Sequence, residues 1–184
     1  MTRLTLIRHA PILHDAGGPV LCGRTDRPAD LSDGPGLARL GRALPQGAAV
    51  LCSPALRARQ TAAALGLAAK ATDARLWEQD FGAWEGLPPD RLPDLGPLPP
   101  DDLARHRPPG GESFADLCAR VWPLLAAIQT DTIIIAHAGV IRAALAQALD
   151  SPAAGLAFRI DAPSLTELAR DGTDWTICRV NLSF

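Results

Sequence analysis

The sequence predicts an α/β fold of three layers, a doubly wound and mostly parallel sheet with helices on both faces. Three observations carry this. Residues 4–7, 49–52 and 132–136 are short, continuously apolar runs, the pattern of strands buried on both faces of a parallel sheet. Segments with helical periodicity separate them, so strands alternate with crossover helices. The 184 residues, 47% hydrophobic and 21% charged, suffice for one domain that buries roughly 70% of its unfolded surface.

In chain order, residues 4–7 open the sheet. After 49–52, Ser53-Pro54 places an N-cap serine before a proline at the first helical position, predicting a helix to about Leu65. Eight prolines then crowd residues 88–109. The segments flanking them need each other to complete one sheet. The stretch therefore reads as a rigid excursion or lid within a single domain, 1–184. Ser113-x-x-Asp116 has the form of a capping box and precedes Phe114, Leu117, Cys118, Val121, Leu124, Leu125 and Ile128, one helical stripe in which Pro123 should introduce a kink. A further helix begins near Gly139, with Ile141, Ala144, Leu145 and Ala148 inward. Residues 164–169 and 175–180 read as a hairpin forming an antiparallel edge, whose free strand offers a homodimer contact.

Composition narrows the partners. A net charge of −2 offers no basic footprint for nucleic acid or a membrane surface. Of 18 basic residues only Lys70 is lysine, a genome-wide bias that weakens any lone arginine as evidence. Cys22, Cys52, Cys118 and Cys178 are scattered without metal-ligand spacing. With neither a signal-peptide stretch nor an apolar run of about 18 residues, the expectation is a cytoplasmic chain with reduced thiols and no metal or cofactor.

His9 and His137 each follow a buried strand at its carboxyl end, where open α/β sheets form their ligand crevice. Arg8 adjoins His9, and Arg57 falls in the first turn of the helix after 49–52, whose free N–H groups and dipole would hold an anion. Guanidinium forks match phosphate oxygens. Two histidines and these arginines point to a phosphoryl group, whereas His14 and His106 read as ordinary loop residues.

Arg8-His9-Ala10 resembles the Arg-His-Gly signature of the histidine phosphatase superfamily, which includes the cofactor-dependent phosphoglycerate mutases. Four further pieces agree in the family's order: Ser53-Pro54-x-x-Arg57-Ala58-x-Gln60-Thr61-Ala62, Glu78-x-Asp80-Phe81-Gly82-x-Trp84-Glu85-Gly86, Pro109-Gly110-Gly111-Glu112-Ser113 and His137-Ala138-Gly139-Val140-Ile141-Arg142. The resemblance implies a phosphoglycerate mutase-like fold and ping-pong phosphoryl transfer. His9 is then the nucleophile, and Glu78 the general acid and later base. Arg8, Arg57 and His137 bind the phosphoryl oxygens, with Ala138 beside them on the substrate. Neighbouring arginines would also keep His9 neutral.

The pattern departs in places. Ala10 stands for the usual glycine, a mild change. Asp15 stands where many members place an asparagine on the phosphate, and an aspartate there would repel it. Cys22-Gly23-Arg24-Thr25-Asp26 resembles the family's substrate loop; Arg24 either supplies the missing contact or is a surface residue. Asp80, Trp84 and Glu85 favour packing or turn roles, and Trp77 and Trp84 fit either a substrate platform or the core.

The implied activity is a metal-independent phosphomonoesterase acting on a small-molecule phosphate ester. Short length favours hydrolysis over mutase chemistry, and residues 22–26, 80–86 and 109–113 resemble bacterial α-ribazole phosphatases of cobalamin synthesis. The alternatives are a broad sugar-phosphate or nucleotide phosphatase, a mutase or protein phosphohistidine phosphatase, and a non-catalytic phosphate-binding domain. A metallohydrolase using Asp15 or Asp80 is disfavoured because the arginines repel a cation.

Overall fold

The computed structural model describes residues 1–14, 17–69 and 71–184. Its strands are β1 (Thr2–Arg8), β2 (Ala49–Cys52), β3 (Ala71–Thr72), β4 (Thr132–Ala136), β5 (Ser164–Asp171) and β6 (Asp174–Leu182). They form one sheet in the order β3-β2-β4-β1-β5-β6, parallel from β3 to β1 and antiparallel through β5 and β6. The helices are α1 (Gly34–Ala43), α2 (Leu56–Ala64), α3 (Pro100–Arg105), α4 (Phe114–Ala127), α5 (Ala138–Ala148) and α6 (Pro152–Leu156). Among the described residues no helix is long and apolar enough to cross a membrane.

In β1 and β4 the mostly apolar runs follow from burial on both sides of the pleat. In β2, expected to be buried likewise, Ala49 is exposed and only Cys52 is fully buried, because the short β3 leaves that side open. Leu4, Leu6, Ile134 and Ala136 pack with α4 and α5, while Ile7, Ile133 and Ile135 pack with α1 and α2. The mostly parallel, doubly wound arrangement is the one expected. The hairpin is longer than the apolar alternation shows: Arg170 pairs with Trp175 and Asp171 with Asp174, leaving a tight turn at Gly172.

Some local signals resolve differently. The capping box forms, with the Ser113 hydroxyl accepting from Asp116 N at 3.1 Å and the Asp116 carboxylate accepting from Ser113 N at 2.8 Å. Pro123, where a kink is expected, lies inside α4, which continues past it with Leu124 and Leu125 buried. Ser53 is not the N-cap of α2. That helix starts at Leu56, whose N–H donates to the Asp26 carboxylate at 2.6 Å, so Asp26 occupies part of the end expected to hold an anion.

Candidate active site

Arg8 pairs with Ala136 across β1 and β4, so the chain leaves both strands at the same level and delivers His9 and His137 side by side. Their rings stand edge to face with centroids 5.0 Å apart, and both are buried.

Each imidazole has one nitrogen fixed by a neighbour. His9 Nδ1 lies 2.6 Å from the Ala10 carbonyl, which only accepts, so Nδ1 carries the proton and Nε2 keeps its lone pair. Arg57 Nε donates to that Nε2 at 3.3 Å. His137 Nε2 lies 2.8 Å from Ser53 Oγ, which itself accepts from Ala55 N. Among the described residues His137 Nε2 is the acceptor within reach of the Ser53 hydroxyl hydrogen, which assigns the lone pair to Nε2 and the N–H to Nδ1, buried and without a partner among those residues. Arg8 Nε is likewise buried and unpartnered, while another nitrogen of its guanidinium donates to the Ile160 carbonyl.

Burial is the largest cause of the depressed His9 pKa, pushed down to about 3, with Arg57 next and Arg8 also contributing; the Ala10 carbonyl opposes them. The arginines expected to keep His9 neutral are therefore the lesser part. His137 is shifted down by burial first and then by His9 and Arg57. A stability prediction follows. Above pH 6.5 His9 is neutral folded or unfolded and contributes no pH dependence. As pH falls from 6.5 towards 3, only the unfolded chain takes the proton, so folding weakens, by about 5 kcal/mol for this group. Denaturant titrations between pH 7 and 4 should show a shallower loss in His9→Asn than in the wild type.

Arg57 is wholly buried, and its terminal nitrogens donate to the carbonyls of Thr25 at 3.0 Å and Gly23 at 2.7 Å. Glu85 shapes that turn: its carboxylate accepts from the backbone N–H groups of Arg24 and Thr25, both at 2.6 Å. Glu85 thus has a turn role, one step removed from the nucleophile.

Glu78 is nearly buried at the start of α5. Gly139 N donates to its two oxygens at 3.1 and 3.2 Å, and Gln79 N donates to Oε1 at 2.9 Å. A Cβ on residue 139 would lie 2.2 Å from Oε1, so only glycine admits the carboxylate here. Arg120 holds the Glu78 backbone from below. It donates to the carbonyls of Glu78 at 3.0 Å and Trp77 at 2.8 Å, and grips Glu112 through two nitrogens at 2.6 and 3.0 Å. Arg120→Ala leaves these acceptors unpaired and is expected to lower kcat about 10-fold with a smaller change in KM; steady-state kinetics beside Arg120→Lys checks it.

His9, Arg8, Arg57, His137, Glu78 and Ala138 thus meet at one sheet edge. Arg8, Glu78, Ala138, Gly139 and Arg142 line the polar end of a cavity of about 550 Å³. Arg24 sits one layer out, its guanidinium over Trp77 at 5.8 Å and 3.8 Å from Glu112. Trp77 in turn lies parallel to the His137 ring, centroids 6.5 Å apart, so it backs an imidazole. Trp84 lines the cavity with the loop residues His14 and His106. Asp15 lies outside the described residues. Among the described residues no three His, Cys, Asp or Glu are grouped to hold a metal ion.

A model of the histidine phosphatase superfamily (branch 1) matches residues 4–183. Glucosyl-3-phosphoglycerate phosphatase of Mycolicibacterium vanbaalenii is 33% identical over 178 residues, covering 82% of this chain and 75% of that protein. The 6-phosphofructo-2-kinase/fructose-2,6-bisphosphatase of Caenorhabditis elegans is 34% identical over 127 residues, 64% of this chain but only 27% of its own length. Among solved structures, mycobacterial glucosyl-3-phosphoglycerate phosphatase with inorganic phosphate superposes with a TM-score of 0.81 at 26% identity, covering 100% of this chain and 98% of that one. TTHB049 from Thermus thermophilus does so with a TM-score of 0.76 at 29% identity, covering 98% and 100%. The chain belongs to branch 1 of the histidine phosphatase superfamily.

Proposed function

We propose that the protein is a metal-independent phosphomonoesterase that works through a phosphohistidine at His9. The observation that carries this is the His9 ring itself: Nδ1 is tied to Ala10, Nε2 is unprotonated, and a buried guanidinium lies against it. His9 Nε2 attacks phosphorus as the ester P–O bond breaks, and Glu78 gives its proton to the departing alkoxide. Glu78 then takes a proton from water, the resulting hydroxide attacks phosphorus, and the P–N bond breaks to release phosphate and neutral His9. Arg8 Nε and His137 Nδ1, both without partners among the described residues, donate to the phosphoryl oxygens. Arg57 exchanges its contact with Nε2 for one of them. Fixed donors of this kind stabilise the charge spread over the transferring group without reorganising.

For the substrate, the motif resemblance supports α-ribazole 5′-phosphate. The activities of the relatives support a second reading, a sugar-phosphate phosphatase. Phosphate release from α-ribazole 5′-phosphate, 3-phosphoglycerate and an aryl phosphate, all in EDTA and beside His9→Ala, separates them. A strong preference for the ribazole ester, lost in His9→Ala, supports the first reading. Comparable weak turnover of all three keeps the mechanism and removes the ribazole assignment. Activity abolished by EDTA, or retained in His9→Ala, contradicts the mechanism.

A further inference from the structure

Beyond its polar end, the 550 Å³ cavity is walled by apolar side chains. Ile12, Val20, Phe81, Trp84, Leu103 and Phe114 face it, and the His106 ring lies on Trp84 with centroids 5.4 Å apart and planes within 19°. The Pro-rich excursion supplies part of this wall through Leu103 and His106. His9 is not itself part of this lining, but Arg8, Glu78 and Ala138 are, so the leaving group of a phosphate ester held between them would face an aromatic chamber large enough for a ring system.

Several polar groups in the same wall are engaged, while His106 Nε2 is buried with no hydrogen-bond partner among the described residues. The Gln79 amide donates to the Glu112 carbonyl at 2.9 Å, the Cys22 thiol to the Thr25 carbonyl at 3.0 Å, and Arg142 Nε to the Phe158 carbonyl at 2.8 Å. A sugar or glycerate without an aromatic ring would bring several hydroxyls, or a carboxylate, against the apolar faces of this wall, where a group left unpaired costs more on burial than it gains. A single polar atom on an aromatic leaving group can instead meet His106 Nε2. An aromatic ring loses only water.

We propose that this cavity selects phosphate esters of alcohols that carry an aromatic ring, seated against Phe81, Trp84 and His106, over esters of sugars and of glycerate that carry none. The inference rests on the phosphomonoesterase reading for its phosphate end, and on no particular aromatic alcohol.

The test compares kcat/KM for 2-phenylethyl phosphate, glycerol 3-phosphate and ribose 5-phosphate. All three leave as alkoxides of primary alcohols, so leaving-group reactivity is closely matched. The aromatic ester should be favoured about 30-fold or more, the scale of burying one ring. Trp84→Ala and Leu103→Asp should each narrow the preference to below about 5-fold, mainly through KM. Leu103 is 42% exposed, so Leu103→Asp keeps the fold and carries the test if Trp84→Ala does not. Turnover without aromatic preference, or a preference that both variants retain, overturns this inference alone. Absence of turnover for every ester, with no phosphoryl group trapped on His9 by acetyl phosphate, overturns the phosphomonoesterase reading as well.

Discussion

His9→Ala is expected to lower kcat by at least about 10⁴-fold and to remove any covalent phosphoenzyme. No neighbouring group takes over. His137 is backed by Trp77 and bonded to Ser53, and its remaining nitrogen is set as a donor. Water entering the vacated space would face the arginines but lack a nucleophile positioned in line with the leaving group. Binding should survive better than chemistry, because Arg8, Arg57 and His137 remain. Inorganic phosphate should therefore still bind His9→Ala within about 10-fold of the wild-type affinity, which calorimetry can measure.

Arg57→Lys is expected to cost about 10²- to 10³-fold in kcat/KM although charge is conserved. The guanidinium is used in three directions at once: one terminal nitrogen to Thr25, the other to Gly23, and Nε to His9. An ammonium can reach one of these positions and leaves buried carbonyls unpaired in the others. Arg57→Met goes further by removing the cation, which lifts one of the influences that depress the His9 pKa. The acidic limb of its kcat/KM profile should then move to higher pH than in the wild type. A lysine variant with near wild-type activity would show that the site needs only a charge.

The strands and the histidine pair were legible because both depend on local sequence. An apolar run buried on two faces and a histidine just past its end leave a readable pattern, and β1 and β4 deliver both rings together. What escaped depends on distant partners. Ser53 has the local form of a cap, yet its hydroxyl bonds to His137 across the sheet, and Asp26 meets the start of α2 from another loop. Glu85 and Arg120 act on backbone carbonyls and amides, which carry no side-chain periodicity. The start of α1 is Gly34-Pro35-Gly36, a turn-like string that becomes a helix because Asp33 accepts from Gly36 N and Leu37 and Leu40 find the core. Likewise, β3 is two exposed residues that become a strand only beside β2.

The central claim is a phosphoryl group carried on His9 Nε2. The direct measurement is rapid alkaline quench during turnover, followed by mass spectrometry of the peptide containing residues 4–14. A phosphoryl adduct on His9 that is stable in alkali and lost in acid, and absent from His9→Ala, is the predicted result. An adduct on another residue, or wild-type turnover with no adduct at any time point, would contradict the account.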